Sequence, residues 1–468
     1  MAATMASDLI PSPAPTAPPK NDPFAAMRHA NYRLFAFGFL ASAVGLQMMG
    51  MGLAWEIYER AKAEGFFGPD GAALALGFIG LARALPVVAM ALPAGYVIDS
   101  FDRRKVLILT QSGFALMAAA LAYASFSTAA LWVLFLLVTL AGCVRSFNGP
   151  TRSSLLPDLV PDSIFPNAVT WNSGIFQVAA IGGPLLGGLI IARYNHAWPV
   201  YAISAALCGV FAFTSLWLKP IAHHQAPQPM SLKGMVAGLS HLYREKTILA
   251  AITLDLFAVL LGGATALLPI YAKEILHVGP VGLGWLKAAP YIGATIMAFA
   301  LALYPLERRT GMWMLISVAG FGVFTIVFGL STSFWLSMAA LIMLGGLDNI
   351  SVVVRHVLVQ MRTPRPIRGR VSAVNSVFIE CSNELGAFES GAVAKLAAPW
   401  FGAIGGAVFS VVSGGIGTLF VVAGVAALIP EIRRLDRLTP KEEPKDEAKH
   451  TPNPDNPLPS TSGSPVAK

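Results

Sequence analysis

Eight ionisable side chains stand inside long apolar runs of this sequence: Arg83, Arg145, Asp255, Lys287, Asp348, Glu380, Glu384 and Glu389. Glu380 and Glu384 are four residues apart, the spacing that puts two side chains on one face of a helix. Two carboxylates that close in a medium of low dielectric resist being ionised together, which makes the pair a place to take up and release a proton. Pairing each with Lys or Arg, or turning it into water, would leave the same residues structural. Asp255 is the next acid with this chemistry, and Glu56 stands near the end of another run. Glu56, Arg83, Lys287, Trp171 and Gln177 are the candidates for lining a binding cavity.

Such residues need helices that span a membrane. Of 468 residues, 55% are hydrophobic and 12% charged, against about 25% charged in an ordinary soluble domain. Mean hydropathy is +0.63. A surface so poor in charge faces lipid, and in lipid the backbone must bond to itself, which selects helices. Cutting the chain into apolar runs of about 20 residues predicts twelve spans near 34–56, 72–98, 106–126, 129–149, 168–192, 197–218, 247–272, 281–304, 312–331, 334–354, 371–395 and 403–429. The Pro- and Ala-rich start lacks the basic and apolar pattern of a cleavable signal peptide.

Lys and Arg are distributed unevenly over the loops. One parity carries Arg103, Arg104, Lys105, Arg152, Lys219, Lys233, Arg244, Lys246, Arg308, Arg309, Arg362, Arg365, Arg368 and Arg370. The other carries only Arg60, Lys62, Arg193, Lys273 and Lys395. The richer set belongs on the cytoplasmic side, and both termini fall with it. The expected organisation is a disordered tail over 1–26, a six-helix bundle over 27–218, a linker over 219–246, a second six-helix bundle over 247–438 and a disordered tail over 439–468. The net charge of +8 is explained by this orientation, and no basic stripe suggests nucleic acid. The three cysteines, Cys143, Cys208 and Cys381, have no zinc spacing. No metal or cofactor is expected.

The two halves repeat. With a shift of 203 residues, Arg152 falls on Arg355, Pro161 on Pro364, Asn172 on Asn375, Gly183 on Gly386 and Gly188 on Gly391. One residue further, Gly80, Arg83 and Pro86 fall on Gly284, Lys287 and Pro290. An ordered series of this kind implies two parallel copies of one bundle, related by an axis along the membrane normal. In this register Arg145 meets Asp348, and the opposite signs predict that the two attract across the axis when the cytoplasmic side closes.

Three motifs carry a family resemblance. Gly95-Tyr96-Val97-Ile98-Asp99-Ser100-Phe101-Asp102-Arg103-Arg104 stands between spans two and three, with Asp102 where the family pattern has Gly. Gly183-Pro184-Leu185-Leu186-Gly187-Gly188 lies in span five, and Arg368-Gly369-Arg370 opens span eleven. The chain resembles the major facilitator superfamily over residues 28–438, and within it a drug- and siderophore-export branch that includes macrolide-efflux and enterobactin exporters. The resemblance implies an all-α membrane protein with the major facilitator fold. It implies a secondary transporter that exports drugs, siderophores or similar small molecules by alternating access in exchange for protons. It also assigns gating to Gly95, Asp99, Asp102, Arg103, Arg104, Gly183, Pro184, Gly187, Gly188, Arg145 and Asp348. A proton-coupled importer of a sugar or other nutrient is the nearest alternative, and a non-transporting membrane sensor the alternative of another class. The expected location is the cell (inner) membrane, with lipid, protons and a small-molecule substrate as partners, and the expected state is a monomer. The sequence has no Gly-Lys dipeptide for a phosphate loop and no His-Glu-x-x-His pair, so neither an ATP-driven pump nor a zinc hydrolase, nor any other enzyme, is expected.

Overall fold

The computed structural model describes residues 22–219, 245–306, 308–363, 368–433 and 435, with positions 92, 99, 246, 368–370 and 372–374 described by their backbone alone. The tail calls over 1–21 and 439–468, most of the 219–246 linker, and Pro364 and Arg365 lie outside the described residues. Among the described residues every regular element is helical. The helices are α1 (Ala30–Glu64), α2 (Ala72–Ser100), α3 (Arg103–Phe126), α4 (Leu131–Leu155), α5 (Phe165–Tyr194), α6 (Trp198–Ser215), α7 (Lys246–Leu261), α8 (Gly279–Leu303), α9 (Thr310–Leu330), α10 (Phe334–Arg362) and α11 (Arg368–Leu428). Eleven helical segments among the described residues are long and apolar enough to cross a membrane, α7 being counted with the turns that extend it.

Local chemistry sets the ends. Gly65 closes α1 in the left-handed region at φ 64°, its N–H bonded to the Ala61 carbonyl, a conformation that costs glycine nothing. Pro166, Pro199 and Pro280 sit in the first turns of α5, α6 and α8, where a missing N–H breaks no bond. After Gly262, α7 continues as a 3₁₀ segment (Gly263–Leu267), a short turn (Leu268–Ile270) and a π-turn (Tyr271–Ile275). Gly402, at φ 73° and ψ 171°, interrupts α11. The two arms, 368–401 and 403–428, then lie side by side, since the Ser410 hydroxyl donates to the Ser390 carbonyl at 2.8 Å. The eleventh segment therefore folds back on itself as two antiparallel arms.

Packing repeats as the sequence does. In the first half α1 packs on α5 and α6, α2 on α4, and α3 on α4 and α6; in the second, α7 packs on α11, α8 on α10, and α9 on α10 and α11. The halves meet where α2 crosses the first arm of α11 and where α5 crosses α8. Both crossings are glycine-lined. A Cβ on Gly391 would stand 2.5 Å from the Ala73 carbonyl oxygen, and one on Gly188 2.5 Å from that of Pro280. Gly80 is likewise closed by the Glu384 carbonyl, and Gly284 by that of Pro184, 2.7 Å from where its Cβ would be. Gly188 and Gly391 are aligned by the 203-residue shift, and Gly80 and Gly284 by the shift one residue longer.

The apolar core is not uniform along the bundle axis. At the end bearing Gly65 and Gly402, here the far end, one core runs through both halves, from Met48 and Leu76 to Leu268, Leu286 and Val411. Toward the end bearing residues 22–28 and Leu435, the terminal end, it divides. One cluster there belongs to the first half alone, around Tyr32, Phe35 and Phe211. The other belongs to the second half alone, around Ile248, Met314 and Leu358. The halves are joined at the far end and part toward the terminal end. Residues 22–26, expected within a disordered tail, are ordered against α5: Asn167 accepts from the Ala26 N–H at 3.0 Å and donates to the Pro23 carbonyl at 2.9 Å.

Candidate functional site

The crossings bring five charged side chains together from both halves. Arg83 comes from α2 and Arg145 from α4; Lys287 comes from α8, and Glu380 and Glu384 from the first arm of α11. Arg145 binds Glu380 at 2.8 Å and reaches Glu384 at 3.8 Å. The helical face shared by the two carboxylates thus meets a single guanidinium from the other half. The side chains of Arg145 and Glu380 are 44% and 45% exposed. Side chains bonded across an inter-half contact and still open to this degree border a cleft. Glu384, 12% exposed, sits deeper and feels the charges of Arg83, Arg145 and Lys287. Gly50 of α1 gives Arg83 room, with an Arg83 nitrogen 3.8 Å from where a Cβ would be. One turn beyond Lys287, Tyr291 packs edge-on against Phe176 of α5, ring centres 6.5 Å apart.

Other candidates lie elsewhere. Asp255 is sealed in an ion pair with Arg355, the two being 5% and 2% exposed. Both belong to the second half, so Asp255 is outside the cleft. Glu56 accepts from the Tyr201 hydroxyl at 2.8 Å and lies 3.6 Å from Arg60, which buries it in the first half rather than in a cavity wall. Trp171 donates its indole N–H to the Pro23 carbonyl at 2.8 Å and packs on Phe24, so it anchors the N-terminal segment. Gln177 is half-buried on α5. The Arg145–Asp348 attraction is expected when the cytoplasmic side closes; in the conformation described, parted at the terminal end, Arg145 is held by Glu380 and Glu384 instead. Asp348 is on α10, which packs within its own half against α8 and α9, and the α11 carboxylates reach Arg145 first.

The motif residues act at helix ends. Asp102 caps α3 by accepting from the Arg104 N–H at 2.8 Å, with φ −57°. That dihedral suits any residue, so the glycine usual there is not required. Arg103 binds Asp158 at 2.8 Å. Arg104 donates to the Ser215 carbonyl at 3.0 Å and to that of Leu216, filling acceptors that the end of α6 leaves open. Gly95 lies in the last turns of α2; the side chain of Asp99 is outside the described residues, as are those of Arg368 and Arg370. Gly183 and Gly187 pack against α1 at Gln47 and Met48, and Gly188 against α8. Pro184 lies inside α5, where it removes one backbone donor, and its carbonyl is the one that meets Gly284.

One feature escaped the sequence reading. At the far end Lys273 bonds Glu59 at 2.6 Å, and Glu274 accepts from Lys62 at 2.6 Å and from the Tyr58 hydroxyl at 2.8 Å. Lys395 reaches the Pro69 carbonyl. These contacts latch the halves together. The π-turn of 271–275 is what presents Lys273 and Glu274 to α1. The signal in the sequence is complementary charge, Glu59 and Lys62 against Lys273 and Glu274, in the loops otherwise poorest in charge.

Comparison with known proteins agrees with this architecture. The family model described as transmembrane secretion effector matches residues 21–439. An uncharacterised major facilitator-type transporter of Bacillus subtilis, YfiS, is 26% identical over 350 residues, covering 70% of this chain and 79% of that protein. The enterobactin exporter EntS of Escherichia coli is 23% identical over 349 residues, covering 74% and 81%. Among solved structures, a bacterial homologue of the human lysosomal transporter Spinster superposes with a TM-score of 0.65 at 16% identity, covering 87% of this chain and 99% of that one.

Proposed function

We propose, from the premise that the chain belongs to the transmembrane secretion effector family of the major facilitator superfamily, that this membrane transporter is an exporter of drugs, siderophores or similar small molecules, with protons as the counter-moving ion. Export is supported by the family description and by the exporter among its relatives. The observation that carries proton coupling is the inter-half bond of Arg145 to Glu380 and Glu384 beside an open cleft. A proton on either carboxylate weakens a tie between the halves, so protonation and rocking of the bundles are one event. In this reading the two arms of α11 are separate crossings, making twelve. The basic loops hold both termini in the cytoplasm of a cell whose inner membrane the protein spans as a monomer, and the cleft seen here opens inward.

Proteoliposomes with an imposed pH gradient test the proposal. Labelled siderophores and antibiotics are supplied on the side of the termini, and acidification of the opposite side should accelerate their export. Glu380→Gln and Glu384→Gln should each cut the gradient-driven rate by about tenfold or more. Substrate flowing with the protons, or a rate indifferent to the gradient, would refute it.

A further inference from the structure

The central cluster holds more positive than negative charge. Arg83, Arg145 and Lys287 face Glu380 and Glu384, and of the three only Arg145 has a carboxylate within 4.0 Å among the described residues. Arg83 and Lys287 donate no hydrogen bond among the described residues, yet both are only half-buried at the cleft. Each feels Glu384 at longer range, and they repel one another. The remaining acid nearby, Asp348, bears on Tyr291 and lies within 4.0 Å of no cation among the described residues. Leaving two cations unpaired inside a membrane bundle is costly, and in such places they mark a ligand or ion path. The two are repeat equivalents, one on each half, and one turn beyond Lys287 on α8 the Tyr291 ring meets that of Phe176 across the halves.

The geometry points to an aromatic organic anion as the substrate class, held between Arg83 and Lys287 with its ring against Phe176 and Tyr291. This rests on the reading of the cleft as the substrate site. The anion relieves the repulsion between the two cations and, by touching both halves, draws them together over itself. Arg145 remains with Glu380, so the proton site and the anion site adjoin, with Glu384 acting on both.

Two probes with one ring system and opposite fixed charge test this: naphthalene-1-sulfonate and (1-naphthyl)trimethylammonium. Each is titrated against the full chain in phosphatidylcholine nanodiscs, with empty discs as the blank. The sulfonate should bind at least about tenfold more tightly than the ammonium. Arg83→Gln and Lys287→Gln should each weaken sulfonate binding by about tenfold, while Lys287→Arg keeps it within about threefold. Without ligand, Lys287→Gln should melt no lower than the parent, since it removes an unpaired charge; this separates lost recognition from misfolding. Overturning results are an ammonium bound as well as the sulfonate, no saturable sulfonate binding, or variants that bind like the parent. Competition by added phosphatidylglycerol would assign the cations to a lipid headgroup and also overturn the proposal. A cation preference with intact gradient-driven export would remove the anion inference alone, whereas sulfonate binding with export indifferent to the gradient would remove the coupling alone.

Discussion

Arg145 divides itself between the half-open Glu380 and the deeper Glu384, and Arg355 serves a single sealed carboxylate. That difference decides what each acid can do. Asp255 is buried and held by one partner, and we infer that its charge is structural. Asp255→Leu should strand Arg355 in the core and cost about 3–5 kcal/mol, read as a lower melting temperature in nanodiscs. The double change with Arg355→Leu should restore most of the stability and keep gradient-driven transport. A double variant that is stable but insensitive to the gradient would return Asp255 to the proton path. At Asp102 the demand is for a cap. Asp102→Ala should lose about 0.5–2 kcal/mol, and Asp102→Gly only a few tenths, both measurable as shifts in thermal unfolding. The residues able to do chemistry were legible because charge inside an apolar run is conspicuous. Their partners were not, because pairing depends on how each helix is rotated and on which neighbour arrives first. The 203-residue register aligned Arg145 with Asp348 correctly, but Glu380 lies nearer in space.

At the scale of elements, the inter-half crossings are built from backbone against backbone. The carbonyls facing Gly188 and Gly391 belong to Pro280 and Ala73, and a carbonyl fixed in a helix cannot swing away as a side-chain tip can. Gly188→Val and Gly391→Val should therefore hold the halves apart at the far end and cut transport about tenfold or more. Increased labelling of a cysteine placed at position 65 or 277 would report the separation. Normal transport with unchanged labelling would mean that the crossing tolerates a wider gap. The spans were readable from hydropathy, closely at α8, expected over 281–304 and found at Gly279–Leu303. Helices α1 and α10 run on to Glu64 and Arg362, past the expected 56 and 354, because a helix continues into polar residues beyond the apolar run. The end of α7 was not readable, because its 3₁₀ and π segments keep the hydropathy of the helix they interrupt. The repeat was readable because it is preserved by glycines, and their spacing is fixed by the crossings.

The whole molecule has one end latched by charge and the other parted. If the halves rock, Lys273 must leave Glu59, and Glu274 must leave Lys62. Lys273→Glu should loosen the far end and shift the population away from the conformation described here, and the swap with Glu59→Lys should return it. Distances between spin labels on the two halves would follow both shifts; an unchanged distance in the single variant would show that the latch does not set the balance. Energy on this scale also favours outward movement of an anion. Carrying one negative charge out of a cell that is negative inside gains about 2.3 kcal/mol per 100 mV, and an entering proton gains the same. The reversal at Gly402 bears on how the protein is made. In the 61 residues of α11 the charged side chains all lie at or before Lys395, the stretch from Leu396 to Leu428 being without charge, and Trp400 and Phe401 are exposed at the bend with no polar stop between the arms. Such a stretch should enter the bilayer as a folded pair rather than one strand at a time. Replacing the bend by a rigid straight segment would therefore strand the carboxyl-terminal arm on the wrong face before any substrate is met.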